Sequence, residues 1–170
     1  MLLDRNGELE DLWRPVADHE PLPEMGYALV AFPRLDEALA HGGLYLGVEI
    51  PNHCDPKKLA PHFDRLGLIA VDFPSFSDGR GFSIAAKLRE TGFRGRLRAS
   101  GPVIADQFAY LLACGFDEVL VPDTVALRQP PEQWARQLSA VTLAYQRGRP
   151  VRASILDQRR AATGARPGDR

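Results

Sequence analysis

Five short apolar runs, set apart by stretches long enough for helices, constrain this chain more than any other feature. They fall at 27–32, 45–50, 68–73, 96–100 and 118–122, the third being the clearest and the fourth the weakest. A strand covered on both faces reads as a continuous apolar run, and such strands belong to parallel sheets with helices laid over them. Helical patterns lie at 34–40, 56–65, 80–91, 103–114 and 131–147. Within 80–91, Ile84, Ala85 and Leu88 share one face, while Arg80, Ser83 and Lys87 share another. Within 103–114, Ile104, Phe108, Leu111 and Leu112 point inward, and Gly115 offers a stop. Strands alternating with helices predict a parallel sheet with crossover connections. A closed eight-unit barrel takes about 250 residues, and the chain has 170. The expected fold class is therefore α/β: an open, mostly parallel sheet of about five strands flanked by helices. The alternative is a half-barrel-like curved sheet.

The flanks read differently from this body. Residues 2–10 form a small hairpin around Asn6-Gly7, a pair suited to a type I′ turn because both residues tolerate positive φ. Residues 14–24 hold three prolines and three acids and read as an exposed linker. Residues 148–170 carry six arginines against two aspartates and few large apolar groups, the composition of a disordered basic tail. The expected division is 1–24 for hairpin and linker, 25–147 for the α/β domain, and 148–170 for the tail.

Composition excludes several function classes. A net charge of −1 gives no whole-chain basis for nucleic-acid or membrane binding. No stretch approaches the roughly 20 apolar residues of a membrane span, and no apolar leader is visible, so the cytoplasm is expected. Cys54 and Cys114 stand far apart with no metal-ligand spacing, so no metal site is expected. Cys114 reads as a buried structural thiol and Cys54 as a more exposed loop residue. No GxGxxG follows the first run, and no cofactor is expected.

The candidate site lies at two strand–helix junctions on the edge of the sheet where α/β proteins bind ligands. The first runs Ser75, Ser77, Asp78, Gly79, Arg80, Gly81, Ser83. A helix start offers free amides and a favourable dipole to an anion, and Arg80 adds a planar fork. The plainer alternative is a tight turn with Asp78 or Ser77 as cap and Arg80 paired to Asp78 or Asp72. The second junction holds Ser100 and Gly101, followed by Asp106 and Gln107. It would adjoin the first if the third and fourth strands are neighbours. Arg98 and Asp72 sit near the ends of those strands. The catalytic candidates are Arg80, Asp106 and Asp72. The ligand-binding candidates are Ser75, Ser77, Asp78, Gly79, Arg80, Gly81, Ser83, Arg98, Ser100, Gly101 and Gln107.

These same residues carry a resemblance. Phe73-Pro-x-Phe-x-Asp-Gly-Arg-Gly-Phe-Ser83, Leu88-Arg89, Arg96-Leu97-Arg98-Ala99, Gly101, Asp106-Gln107 and Cys114-Gly115-Phe116-Asp117 look like a bacterial family of unknown function whose members are labelled oxidoreductases of sulfite reduction. It covers roughly 25–145. Pro102 departs from it, standing where an acid is expected after the glycine. The resemblance implies an accessory protein of assimilatory sulfite reduction. Such a protein would bind an oxyanion or phosphate-containing ligand, or dock on sulfite/nitrite reductase or phosphoadenylyl-sulfate reductase. The alternatives are an enzyme using Arg80 and Asp106, and a purely structural interaction protein.

Overall fold

A computed structural model describes residues 1–140. The elements follow in the order β1 (Leu2–Asp4), β2 (Gly7–Leu9), β3 (Arg14–Val16), β4 (Gly26–Ala31), α1 (Leu35–Leu39), β5 (Leu44–Ile50) and β6 (Leu66–Asp72). Then come α2 (Arg80–Thr91), β7 (Arg96–Ser100), α3 (Phe108–Cys114), β8 (Glu118–Leu120), α4 (Asp123–Ala126) and α5 (Pro131–Ala140). All eight strands join one sheet in the order β2-β1-β8-β7-β6-β5-β4-β3. β3 to β8 are parallel, and β1 runs antiparallel to both β2 and β8.

This order forces the sheet to curl. β2 and β3 lie at opposite edges, yet only residues 10–13 connect them. Eight flat strands spaced about 4.8 Å apart would separate the edges by roughly 34 Å. Five Cα steps of about 3.8 Å reach at most about 19 Å. The sheet is therefore a curled half-barrel, the second of the two expected architectures, with residues 10–13 strapped across its concave side.

Strand alternation gives the two faces different jobs. Ala28, Val30, Leu46, Val48, Ile69, Val71, Leu97, Ala99 and Val119 point to the convex side and join Ile84, Leu88, Phe108, Leu111 and Trp134 in the main core. Leu29, Leu68 and Ala70 point to the concave side, where Trp13 of the strap packs on them. The register of β6 slips against β5 at Gly47. An added Cβ at Gly47 would stand 2.9 Å from the Trp13 ring, and one at Gly67 would stand 3.1 Å from it. The two missing side chains make the floor on which Trp13 lies.

Several local expectations change. Arg14–Val16, read as linker, is an edge strand with Val16 buried, because parallel pairing to β4 outweighs the cost of Pro15 at an edge. The hairpin exists, but Arg5 and Asn6 make its turn. Gly7 alone takes positive φ, at 128°, as in a type I turn closed by a glycine. Residues 56–65 form two short 3₁₀ turns, Pro56–Lys58 and Ala60–His62, instead of one helix. Pro61, inside the expected helix, would break its hydrogen-bond ladder. Cys54 is buried, like Cys114, and burial raises its thiol pKa. α2 spans the expected residues, and Gly115 ends α3 with φ +107°. The expected tail at 148–170 lies outside the described residues. Among the described residues no helix is long and apolar enough to cross a membrane.

Candidate functional site at the mouth of the half-barrel

The concave face is layered. At mid-height Arg98 is almost wholly buried, at 1% exposure. Its guanidinium donates to both carboxylate oxygens of Asp11 on the strap at 2.8 Å each, and to Glu118 Oε1 at 2.8 Å. Glu118, itself buried, also accepts from Arg96 Nε at 2.6 Å. This is a closed cluster. Arg98 was expected among the ligand contacts, but its donors are spent on Asp11 and Glu118. It ties the strap to the sheet.

Nearer the C-terminal strand ends the chemistry opens. Glu49 pairs in register with Ala70, and Asp72 with Ser100, so the two carboxylates stand on neighbouring strands of the same face. Desolvation, and then the Asp72 charge, raise the Glu49 pKa, while the Ser100 hydroxyl and Arg98 draw it back. Desolvation, and then Asp78, raise the Asp72 pKa. Asn52 follows β5 and is 4% exposed, with its Nδ2 atom unpaired. Its amide faces Asp78 and helps hold that carboxylate in its charged form without closing a hydrogen bond of ordinary length.

The loop between β6 and α2 builds the rim. Ser75 and Ser77 join hydroxyls at 3.0 Å, and the Ser77 amide donates to Ser75 Oγ. Asp78 accepts from the Arg80 backbone amide at 3.2 Å and from its Nη2 at 2.7 Å. This lowers the Asp78 pKa below the usual carboxylate range, the Arg80 side-chain bond being the largest cause. Arg80 is therefore exposed, charged and already paired, the plainer of the two readings of this turn. Gly81 is not open to a ligand, since an added Cβ would meet the Phe73 ring at 2.4 Å. Its lack of a side chain lets α2 close on β6. A Cβ at Gly79 would make only an ordinary contact with the Phe82 ring, at 3.9 Å, and Ser83 is exposed on α2.

β6 and β7 are neighbours, so the two junctions do meet. Gln107 Nε2 donates to the Phe76 carbonyl at 2.7 Å, and the Ile104 amide donates to Gln107 Oε1, so Gln107 clamps one loop to the other. Asp106 accepts from Gln137 Nε2 at 2.9 Å and so anchors α5. Gly101, at φ +129°, brings its Cα against the Phe73 carbonyl, where a Cβ would stand 2.2 Å from the oxygen. Its role is that close approach. Of the predicted residues, Asp72, Ser100, Asp78 and Arg80 share the mouth. Arg98, Gly81, Gly101, Asp106 and Gln107 hold it together.

Glu49 and Asn52 were not foreseen. One signal was available: Glu49 is an acid within an otherwise apolar run, one residue from its end. Among the described residues no group of three or more His, Cys, Asp or Glu side chains is arranged to hold a metal ion. A family model described as "Bacterial protein of unknown function (DUF934)" matches residues 47–155, which takes in every residue of the mouth. No curated protein matches the chain.

Proposed function

The chain belongs to this bacterial family of unknown function, and on that premise we propose that it is a cytoplasmic accessory protein of assimilatory sulfite reduction. It docks on sulfite/nitrite reductase through the mouth of its half-barrel. The pathway comes from the resemblance carried by residues 73–117. The docking mode comes from one observation: the mouth holds Glu49, Asp72 and Asp78, and the cation on its rim, Arg80, is spent on the ion pair with Asp78. A rim of that charge repels a free oxyanion and suits a basic protein surface, to which it steers association over about a Debye length.

Retention of the reductase on tagged full-length protein is the test. Retention at low salt, lost at high salt and lost with an Asp72→Lys, Asp78→Lys pair, is expected. A deletion strain should grow slowly on sulfate as sole sulfur source and normally on cysteine. Equal growth on both would remove the pathway. Slow growth on sulfate with no retained reductase would remove the docking and leave the pathway standing. Titration calorimetry with sulfate, sulfite and adenosine phosphosulfates tests the competing oxyanion reading: binding lost equally in Arg80→Lys and Arg80→Ala would favour it.

A second reading, an oxidoreductase as the resemblance of residues 73–117 implies, is supported by the adjoining Glu49 and Asp72 carboxyls. Neighbouring acids whose pKa values are raised suit proton transfer. Under it Asp72→Asn abolishes complementation while the purified variant still retains the reductase.

A further inference from the structure

The concave side has a second opening at the N-terminal strand ends, at the other pole from the mouth. A cleft of about 520 Å³ lies there, with Leu12, Trp13, Tyr27, Tyr45, Arg65 and Arg96 among its walls. Small-molecule sites commonly measure about 300–1,000 Å³. The Tyr27 and Tyr45 rings stack, with centroids 4.7 Å apart and planes 16° apart, and Trp13 meets Tyr27 edge-on at 5.2 Å. The stack stops at Tyr45, whose side chain belongs to a residue 64% exposed. Leu12 on the strap, 62% exposed, borders the same space.

The rim supplies charge. Arg96 is held by Glu118. Arg65 is exposed and makes a single 3.4 Å contact, to the His41 carbonyl, with no ion-pair partner among the described residues. Among the described residues that line the cleft, Asp64 is the one acid. An unspent guanidinium beside an open aromatic ring presents two complementary surfaces: a face for stacking and a fork for phosphate or carboxylate.

We propose that this cleft binds a small molecule that joins a planar aromatic ring to an anionic group, the ring stacking on Tyr45 and the anion meeting Arg65. The Trp13 strap sets the depth of the cleft.

Flavin mononucleotide, riboflavin and inorganic phosphate serve as probes, titrated into the full chain and read by flavin fluorescence, with phosphate as competitor. The mononucleotide should bind saturably and more tightly than riboflavin, and phosphate alone should compete weakly. Tyr45→Ala should weaken both flavins roughly tenfold or more, since it removes the ring on which they stack. Arg65→Ala should weaken the mononucleotide to the level of riboflavin and leave riboflavin unchanged. Both side chains are exposed, so the variants should keep the parent's far-ultraviolet dichroism. No saturable binding up to millimolar concentration overturns the proposal. So does binding indifferent to both substitutions, or equal affinity for the two flavins in the parent protein.

Discussion

Two charged clusters sit on the same concave face and differ in kind. Asp11, Arg98, Glu118 and Arg96 form a closed set, each charge matched and hydrogen-bonded. Glu49, Asp72 and Asn52 lie beside it and are left open: two desolvated acids, Glu49 raised further by Asp72 and Asp72 by Asp78, and an amide with an unpaired donor. Buried charge is tolerated when paired, and breaking a pair exposes the full cost of the remaining partner. The closed set is therefore architecture. The open set is a debt that a fold without a use for it would shed, which is the physical reason to place function there.

The comparison breaks most visibly at Arg98. Arg98→Met should cost about 3–5 kcal/mol in urea unfolding, because Asp11 would lose both its bonds and buried Glu118 would keep Arg96 alone. A loss below about 1 kcal/mol would mean that the closed cluster is not what holds the strap. Gly101→Ala should come next, at about 2–4 kcal/mol, from strained φ and collision with the Phe73 carbonyl. It should also disturb the mouth, by pushing apart the strand ends that carry Asp72 and Ser100.

Asp72→Asn should act in the opposite direction. The folded protein holds the Asp72 proton to higher pH than the unfolded chain does, so ionisation costs stability as pH rises from the ordinary carboxylate value of about 3.9. The variant should melt with the parent near pH 3 and above it at pH 7. A parent that melts higher at pH 7 would show that Asp72 has a stabilising partner after all. The smallest effect is expected at Arg80. Arg80→Ala breaks an exposed ion pair and should move stability by less than about 0.5 kcal/mol. A larger loss would place Arg80 with the architectural charges.

What could be read from the chain divides along the same line. Strands and helices on the convex side announce themselves by local pattern: α2 spans 80–91 as expected because its apolar face and its glycine stop lie within one short window. The concave side is built from contacts between residues distant in sequence. Asp11 reaches Arg98 across 87 positions, and no window contains both. The run 96–100 reads only as the weakest strand, and that its two arginines meet Glu118 is decided by β8, twenty residues on. β3 was hidden by Pro15, a residue that only an edge strand admits. The two junctions were located correctly because strands adjacent in sequence are adjacent in the sheet. The roles of Gly81, Gly101 and Gln107 depend on what stands opposite them, and the chain alone does not carry that.

The pairing of β1 with β8 has a consequence for the order of assembly. During synthesis the first hairpin leaves the ribosome early, while its partner strand is among the last described elements to be made. Until β8 arrives, β1 has an unpaired edge, Asp11 has no Arg98–Glu118 pair to close on, and Trp13 waits for β5 and β6. Nascent chains stalled before residue 118 should therefore be protease-sensitive at the strap and bind chaperones that hold extended apolar segments. Release past β8 should convert them in one step, since the same event fills the edge, locks the strap and completes the half-barrel.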